Sequence, residues 1–205
     1  MKKILILAIV LLSFTFVNAQ HEYESAKEHE IDYKNWTYKS VRDGKEVNLR
    51  EFSKGKKLVL VVYFAPWCGN WNFEAPIAQK LYDKYKSNGF EVIGVSEYGS
   101  IEDVTKNLAD KQITFQVVSE SDSREAKTNT LHYAYRKKTG DNRNWGSPWN
   151  IFLQPETFAV ENETIIKKAN IVNGELIEAE IEKLIREKLG LSDVETTATN
   201  SSNCD

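Results

Sequence analysis

The sequence predicts an α/β domain, on three observations. Two runs, "KKLVLVVYFA" at 56–65 and "FEVIGVS" at 90–96, are apolar without alternation, as strands buried on both faces are. Strand and helix patterns alternate through the middle of the chain. A strand–strand–helix pattern closes it.

The elements follow in order. "WTYKSVRDGKEVNLREF" at 36–52 alternates around Asp43-Gly44, a hairpin signal. The first buried strand then feeds an amphipathic helix from about Asn70 to Ser87. Its Ile77, Ala78, Leu81, Tyr82 and Tyr85 share one face, and Asn88-Gly89 ends it. After the second buried strand come a helix over 101–111, the strand "ITFQVVS" and a helix over 122–138. "TGDNRNWGSP" at 139–148 reads as a loop. "WNIFLQ" and "TIIKKANI" are two further strands, and Asn173-Gly174 turns into a last helix. That helix carries Ile177, Ile181, Leu184, Ile185 and Lys188 on one side and stops at Gly190.

The ends are read separately. Lys2 and Lys3, the apolar run Ile4 to Val17 and the small residues of "VNA" form a secretory signal segment over 1–19, cut after Ala19. The apolar run is short for a membrane span of about 20 residues, so no stable span is expected after cleavage. No cysteine follows the cut, which closes the bacterial lipoprotein route. Residues 20–35 are polar and acidic and read as a flexible arm. The domain spans 36–190, and "LSDVETTATNSSNCD" at 191–205 reads as a disordered tail.

Composition narrows the function. The chain has 205 residues, a net charge of −3 with both signs interspersed, and two cysteines. The mixed charge argues against a nucleic-acid binder. His21, His29 and His132 are too scattered for a metal site; the first two fall in the arm and the third on a predicted helix surface. No Gly-rich phosphate loop or catalytic triad spacing appears. The sequence calls for no cofactor and no metal.

The candidate chemistry sits in "FAPWCGNW" at 64–71. Cys68 follows a buried strand and opens a helix. Unpaired amides and the helix dipole at such a position stabilise the thiolate, the nucleophilic form. A small buried apolar cysteine is the alternative. Pro148 has two readings as well: a cis X–Pro bond that re-aims the chain, or a trans proline opening a strand.

"LVVYFAPWCGNWNFEAPIAQKLYDKYKSNGFEVIGVS" resembles the active-site segment of the thioredoxin superfamily, most of all its exported TlpA-type branch of thiol–disulfide oxidoreductases. Trp67 and Cys68 sit where that family has its tryptophan and nucleophilic cysteine. Glu74 and Pro76 match its acidic residue and helix-kinking proline. Asp43-Gly44-Lys45 with "VNLREF" resembles the hairpin preceding the domain, and "GSPWNIFL" the cis-proline segment. The resemblance covers about Trp36 to Leu189. It implies a thioredoxin-like fold: a central mixed sheet flanked by helices, with an N-terminal β-hairpin extension. It also implies that Pro148 is cis and opposite Cys68. Ser147 would then present its backbone to an extended substrate, Trp67 and Trp71 would shape the groove, and Glu74 would act electrostatically from a distance.

Three departures bear on activity. Trp71 stands where the second cysteine of the motif belongs, so a mixed disulfide needs another thiol to resolve it. Val62 replaces the buried acid of thioredoxins proper. The segment "HYAYRKKTGDNRNWGSPW" at 132–149 is long, basic and aromatic. Its Trp145 and Trp149, with Trp67 and Trp71, form a candidate binding cluster or pack the loop. Its Arg136, Lys137, Lys138 and Arg143 either favour an acidic partner or end a solvated helix. Cys204 is the remaining sulfur, fifteen residues beyond Leu189 and so within a reach of about 50 Å. It is a candidate resolving thiol or a disulfide partner that locks Cys68, or else an incidental tail thiol or an intermolecular bridge.

Two functions are carried forward. The first is an exported, periplasmic monothiol protein in thiol–disulfide exchange (isomerisation, mixed-disulfide formation or de-capping), with protein thiols and disulfides or low-molecular-weight thiols as partners. The second is a redox-inactive thioredoxin-fold binding or scaffolding module that uses a Trp-rich surface around the degenerate CGNW motif.

Overall fold

The structure is a computed structural model that describes residues 21–160 and 162–192. The signal segment and Cys204 lie outside the described residues. Short strands β1 (Tyr23–Glu24) and β2 (Lys27–Lys34) come first, then the hairpin β3 (Thr37–Ser40) and β4 (Glu46–Asn48), with the one-turn helix α1 (Leu49–Phe52). The first buried strand β5 (Leu58–Phe64) leads into α2 (Gly69–Tyr85). There follow β6 (Phe90–Ser96), α3 (Ile101–Asp110), β7 (Gln116–Ser119), α4 (Leu131–Lys138), β8 (Trp149–Leu153), β9 (Thr164–Val172), β10 (Glu175–Leu176) and α5 (Glu178–Leu189).

Eight strands form one mixed sheet in the order β2-β9-β8-β5-β6-β7-β3-β4, and β1 pairs with β10 in a separate two-stranded sheet. The centre, β5-β6-β7, is parallel, and β8 closes on β5 antiparallel. The unbroken apolar run of β5 has its explanation here. Leu58, Leu60, Val62 and Phe64 pack under α2, α3 and α5, while Val59, Val61 and Tyr63 pack against Tyr33, Trp36, Tyr135 and Trp149 on the other face. The fold is thioredoxin-like, and the hairpin β3–β4 lies at one edge of its sheet.

The expected flexible arm over 20–35 is corrected. Its residues from Lys27 form β2, antiparallel to β9. Ile31 and Tyr33, two residues apart, turn one face inward and are buried. Tyr33 Oη shares a 2.8 Å hydrogen bond with Tyr63 Oη. The Glu and Lys residues that made the segment look loose occupy the solvent face of an edge strand.

The helix expected over 122–138 is divided. Arg124–Asn129 is 3₁₀ and α4 starts afresh at Leu131. Thr130 makes the break, its hydroxyl accepting from the Tyr133 amide at 3.0 Å as an N-cap. The last helix begins at Glu178 because β10 uses Glu175 and Leu176. α2 ends as expected near Gly89, whose φ of 97° suits glycine.

Candidate functional site at the amino end of helix α2

The site forms where β5 ends at the carboxyl edge of the parallel strands. Ala65-Pro66-Trp67-Cys68 makes a tight turn closed by the Cys68 amide on the Ala65 carbonyl at 3.0 Å, with proline at its second position. Cys68 is the N-cap of α2 with extended backbone, and its side chain makes no capping bond. It is a free cysteine, partly exposed as a residue and packed against the edge of the core. Its Sγ donates to the carbonyl oxygen of Ser147 at 3.2 Å, a contact that uses the S–H proton.

Ser147 lies against Cys68. The Ser147–Pro148 bond is cis. The Ser147 hydroxyl accepts from the Ala65 amide at 2.9 Å, so this residue touches the β5–α2 junction through both its side chain and its carbonyl. Trp67 lines the approach: it is partly exposed, and its Nε1 donates to the Tyr98 carbonyl at 2.9 Å. Trp145 meets it edge to face at 5.1 Å between ring centres.

Trp71 does not line the groove, and this expectation is corrected. It is fully buried and stacks on Phe64 with ring centres 4.1 Å apart. Its Nε1 donates to Asn107 Oδ1 at 2.8 Å. The Asn107 amide nitrogen in turn holds the Pro66 carbonyl at 3.0 Å. Three residues into a helix that opens beside a sheet, the large apolar ring goes to the core. Its N–H finds a partner on α3. Trp149 is likewise interior, so of the four tryptophans only Trp67 and Trp145 form a surface beside the cysteine.

Glu74 is fully buried on α2. Its Oε2 accepts from the Leu176 amide at 2.8 Å and from Asn150 Nδ2 at 3.1 Å, while Oε1 has no partner among the described residues. Burial pushes this carboxyl up to about 8, against the pull of those two hydrogen bonds. Its partners lie on β8 and β10, so it ties α2 to the sheet. Pro76 is exposed within α2 and removes one helix amide away from the groove.

A buried network behind the groove was not anticipated. His132, expected on a helix surface, is fully buried. Its Nε2 lies 3.0 Å from the Gly146 carbonyl and its Nδ1 3.0 Å from Tyr98 Oη. A carbonyl only accepts, so Nε2 carries the proton and Nδ1 accepts from the tyrosine. Burial and the Arg136 cation depress this imidazole to about 3. The ring thereby joins the two walls of the groove: Tyr98 holds Trp67, and Gly146 precedes Ser147.

Arg136 is also buried, not part of a solvated basic run. Its guanidinium donates to the carbonyls of Arg143 and Asn144 at 2.7 and 2.9 Å. A Cβ on Gly146 would lie 2.2 Å from Arg136 Nη1, and this glycine has φ +58°. Arg143 is drawn to Asp141 and Glu22. A helical spacing that puts His132, Tyr135 and Arg136 on one face of α4 was the available signal; their polarity concealed it.

Among the described residues no group of three or more His, Cys, Asp or Glu side chains could hold a metal ion. No helix among them is long and apolar enough to cross a membrane.

The comparisons agree with this architecture. The model of the AhpC/TSA family matches residues 31–169, most of the described chain. The chain belongs to the AhpC/TSA family. No curated protein matches it. Among solved structures it is similar to a thiol:disulfide interchange protein of the thioredoxin family from Chlorobium tepidum, with a TM-score of 0.56, 18% identity, and coverage of 79% of this chain and 98% of that one. The thioredoxin domain of a thiol-disulfide oxidoreductase from Bacteroides vulgatus gives a TM-score of 0.53 at 21% identity, covering 81% and 96%. A secreted disulfide oxidoreductase of Mycobacterium tuberculosis, homologous to E. coli DsbE, gives 0.51 at 13%, covering 76% and 95%. At these identities the likeness is one of fold.

Proposed function

We propose that this AhpC/TSA family member is an exported monothiol protein of the TlpA type, acting in thiol–disulfide exchange through Cys68. The observation that carries the reading is the placement of Cys68. Cys68, a partly exposed residue at the N-cap of α2, has its sulfur 3.2 Å from the carbonyl oxygen of Ser147, and Trp67 precedes it in the turn.

The chemistry balances without a cofactor. The Cys68 thiolate attacks one sulfur of a substrate disulfide. A new S–S bond joins Cys68 to that half, and the other half leaves as a thiolate. With Trp71 in the core, α2 offers no second sulfur, so release requires a thiol from elsewhere. When another cysteine of the substrate attacks, Cys68 is regenerated and the substrate's disulfides are rearranged with no net oxidation. When the attacked disulfide joins a substrate cysteine to a small-molecule cap and Cys68 takes the cap, the substrate thiolate leaves in that first step, and a small-molecule thiol then regenerates Cys68 and departs as a small-molecule disulfide. Export is supported by the leader-like 1–19 segment, and a periplasmic site would suit disulfide chemistry.

One observation favours a second reading, that of a redox-inactive binding module. Trp71 is buried three residues after Cys68, at the position of the motif's second cysteine, and the partly exposed Trp67 and Trp145 would meet a partner together with the cations that lie on them.

Purification from the native host under acid quench, followed by mass spectrometry of the Cys68 peptide, tests the two. A mixed disulfide on Cys68, absent from a Cys68→Ser variant, supports exchange. A uniformly free thiol in a protein that still co-purifies with a partner supports the binding module.

A further inference from the structure

Each of the two partly exposed indoles near Cys68 carries a cation laid on its ring. The Arg124 guanidinium carbon sits 4.2 Å from the Trp67 ring centre and 5.9 Å from that of Trp145. Lys127 Nζ lies 4.6 Å from the Trp145 ring centre and donates to the neutral Asn144 Oδ1 at 2.6 Å. Trp67 adjoins Cys68 in the chain, and Trp145 is two residues before Ser147. Arg124 is exposed and Lys127 partly so.

Both positive charges are held at the groove without an ion pair to a carboxylate among the described residues. Arg143, whose guanidinium donates to the Pro148 carbonyl at 2.8 Å, is by contrast neutralised by Asp141 and Glu22. Two acids share the Arg124 segment, Asp122 and Glu125. The Glu125 carboxylate is held low first by its own backbone amide and then by Ser123, with Arg124 a lesser influence. The basic run expected to attract acids, Arg136 and Arg143, is engaged internally. The two cations on the indoles come from a different stretch, the 3₁₀ turn after β7.

We infer that the substrates of this site are protein segments bearing Asp or Glu beside the reacting cysteine, received on the Trp67–Trp145 shelf under Arg124 and Lys127. The inference rests on the exchange reading and adds its substrate class. A segment running past Ser147 with its sulfur at Cys68 lays its flanking residues on this shelf. The indoles supply apolar contact and hold the cations in place. The cations supply charge complementarity, which acts chiefly on encounter rate and selectivity.

The test uses the full mature chain with Cys204→Ser, so that only Cys68 reports. Three synthetic peptides carry one cysteine flanked by Asp/Glu, by Ser/Gln or by Lys, each activated as its thionitrobenzoate mixed disulfide. Cys68 attacks the peptide sulfur, the protein–peptide disulfide forms, and the coloured thiolate leaves. At low salt the acidic peptide is expected to react about fivefold faster than the neutral one and faster still than the basic one, a size fitting two exposed charge contacts. Added salt shrinks the difference, and Arg124→Gln with Lys127→Gln abolishes it, bringing the acidic, neutral and basic peptides to one common rate.

Equal rates for all three peptides overturn the inference and leave Cys68 exchange intact. A preference that survives the double substitution overturns the assignment to Arg124 and Lys127. If no peptide reacts faster than with a free model thiol, the exchange reading itself falls and the substrate class with it.

Discussion

Trp71 stacks on Phe64 at 4.1 Å and hands its indole N–H to Asn107, three residues after the cysteine it was expected to flank. The ring joins β5, α2 and α3, and through Asn107 it reaches the Pro66 carbonyl in the turn before Cys68. The residue that replaces the second sulfur is therefore a keystone of the site's scaffold and lies out of the substrate's reach.

Trp71→Ala is expected to lower the unfolding free energy by about 3–5 kcal/mol, the range for emptying a large aromatic site in a core. Trp71→Phe keeps the stacking but strands Asn107 Oδ1, and should cost about 1–3 kcal/mol. Urea denaturation followed by circular dichroism measures both. A loss within 0.5 kcal/mol for the alanine variant, the size typical of surface changes, would contradict the core placement.

Glu74 sets a pH dependence on the alkaline side. Its carboxyl is raised from 4.5 to about 8 by burial. Between those values the folded protein keeps a proton that the unfolded chain has lost, so stability falls as pH rises through that window and levels off above it. Glu74→Gln, which keeps the size and can still accept from Leu176, should flatten the slope. Denaturation midpoints across the window for both proteins check the sign. Glu97, also buried and raised by burial and by its neighbour Glu120, adds a slope of the same sign that the Gln variant retains.

His132 acts in the opposite direction. Its imidazole is lowered from 6.5 to about 3, so below 6.5 the unfolded chain takes up a proton that the folded one refuses, and stability falls with falling pH through that window. His132→Gln retains a hydrogen-bond donor and should weaken that acid-side loss. Because the ring holds Tyr98 and Gly146 together, the same variant should also change the alkylation rate of Cys68 at neutral pH, where a change in bulk stability alone would leave the rate of the folded protein unmoved.

Gly146→Ala is expected to destabilise by about 1–3 kcal/mol, since it meets both a positive φ and the Arg136 guanidinium at 2.2 Å. Thermal unfolding measures it. A neutral result would mean that the loop before Ser147 is not clamped by Arg136.

Much of this was legible in the residues. The buried runs of β5 and β6, the helix after Cys68 and the hairpin at Asp43-Gly44 carry local signals strong enough to read, whereas the place of Pro148 was implied by the family resemblance alone. Four features were not. β2 looked polar because only Ile31 and Tyr33 face inward, and an edge strand needs its partner β9 to be recognised. Trp71 looked like a groove residue because spacing from Cys68 cannot say which way a helix is rotated against its sheet. His132 and Arg136 looked like surface residues because their burial depends on loop carbonyls that no sequence pattern announces. Arg124 and Lys127 reach the groove only because Thr130 breaks the predicted helix and folds their turn back over Trp67 and Trp145.

The most direct test of the central claim is site-resolved alkylation. Iodoacetamide is applied near neutral pH to the mature Cys204→Ser chain, and the rate at Cys68 is compared with that of a small cysteine peptide. The exchange reading predicts faster modification at Cys68. A rate equal to or below that of the peptide would leave an inert sulfur in the groove and contradict the account.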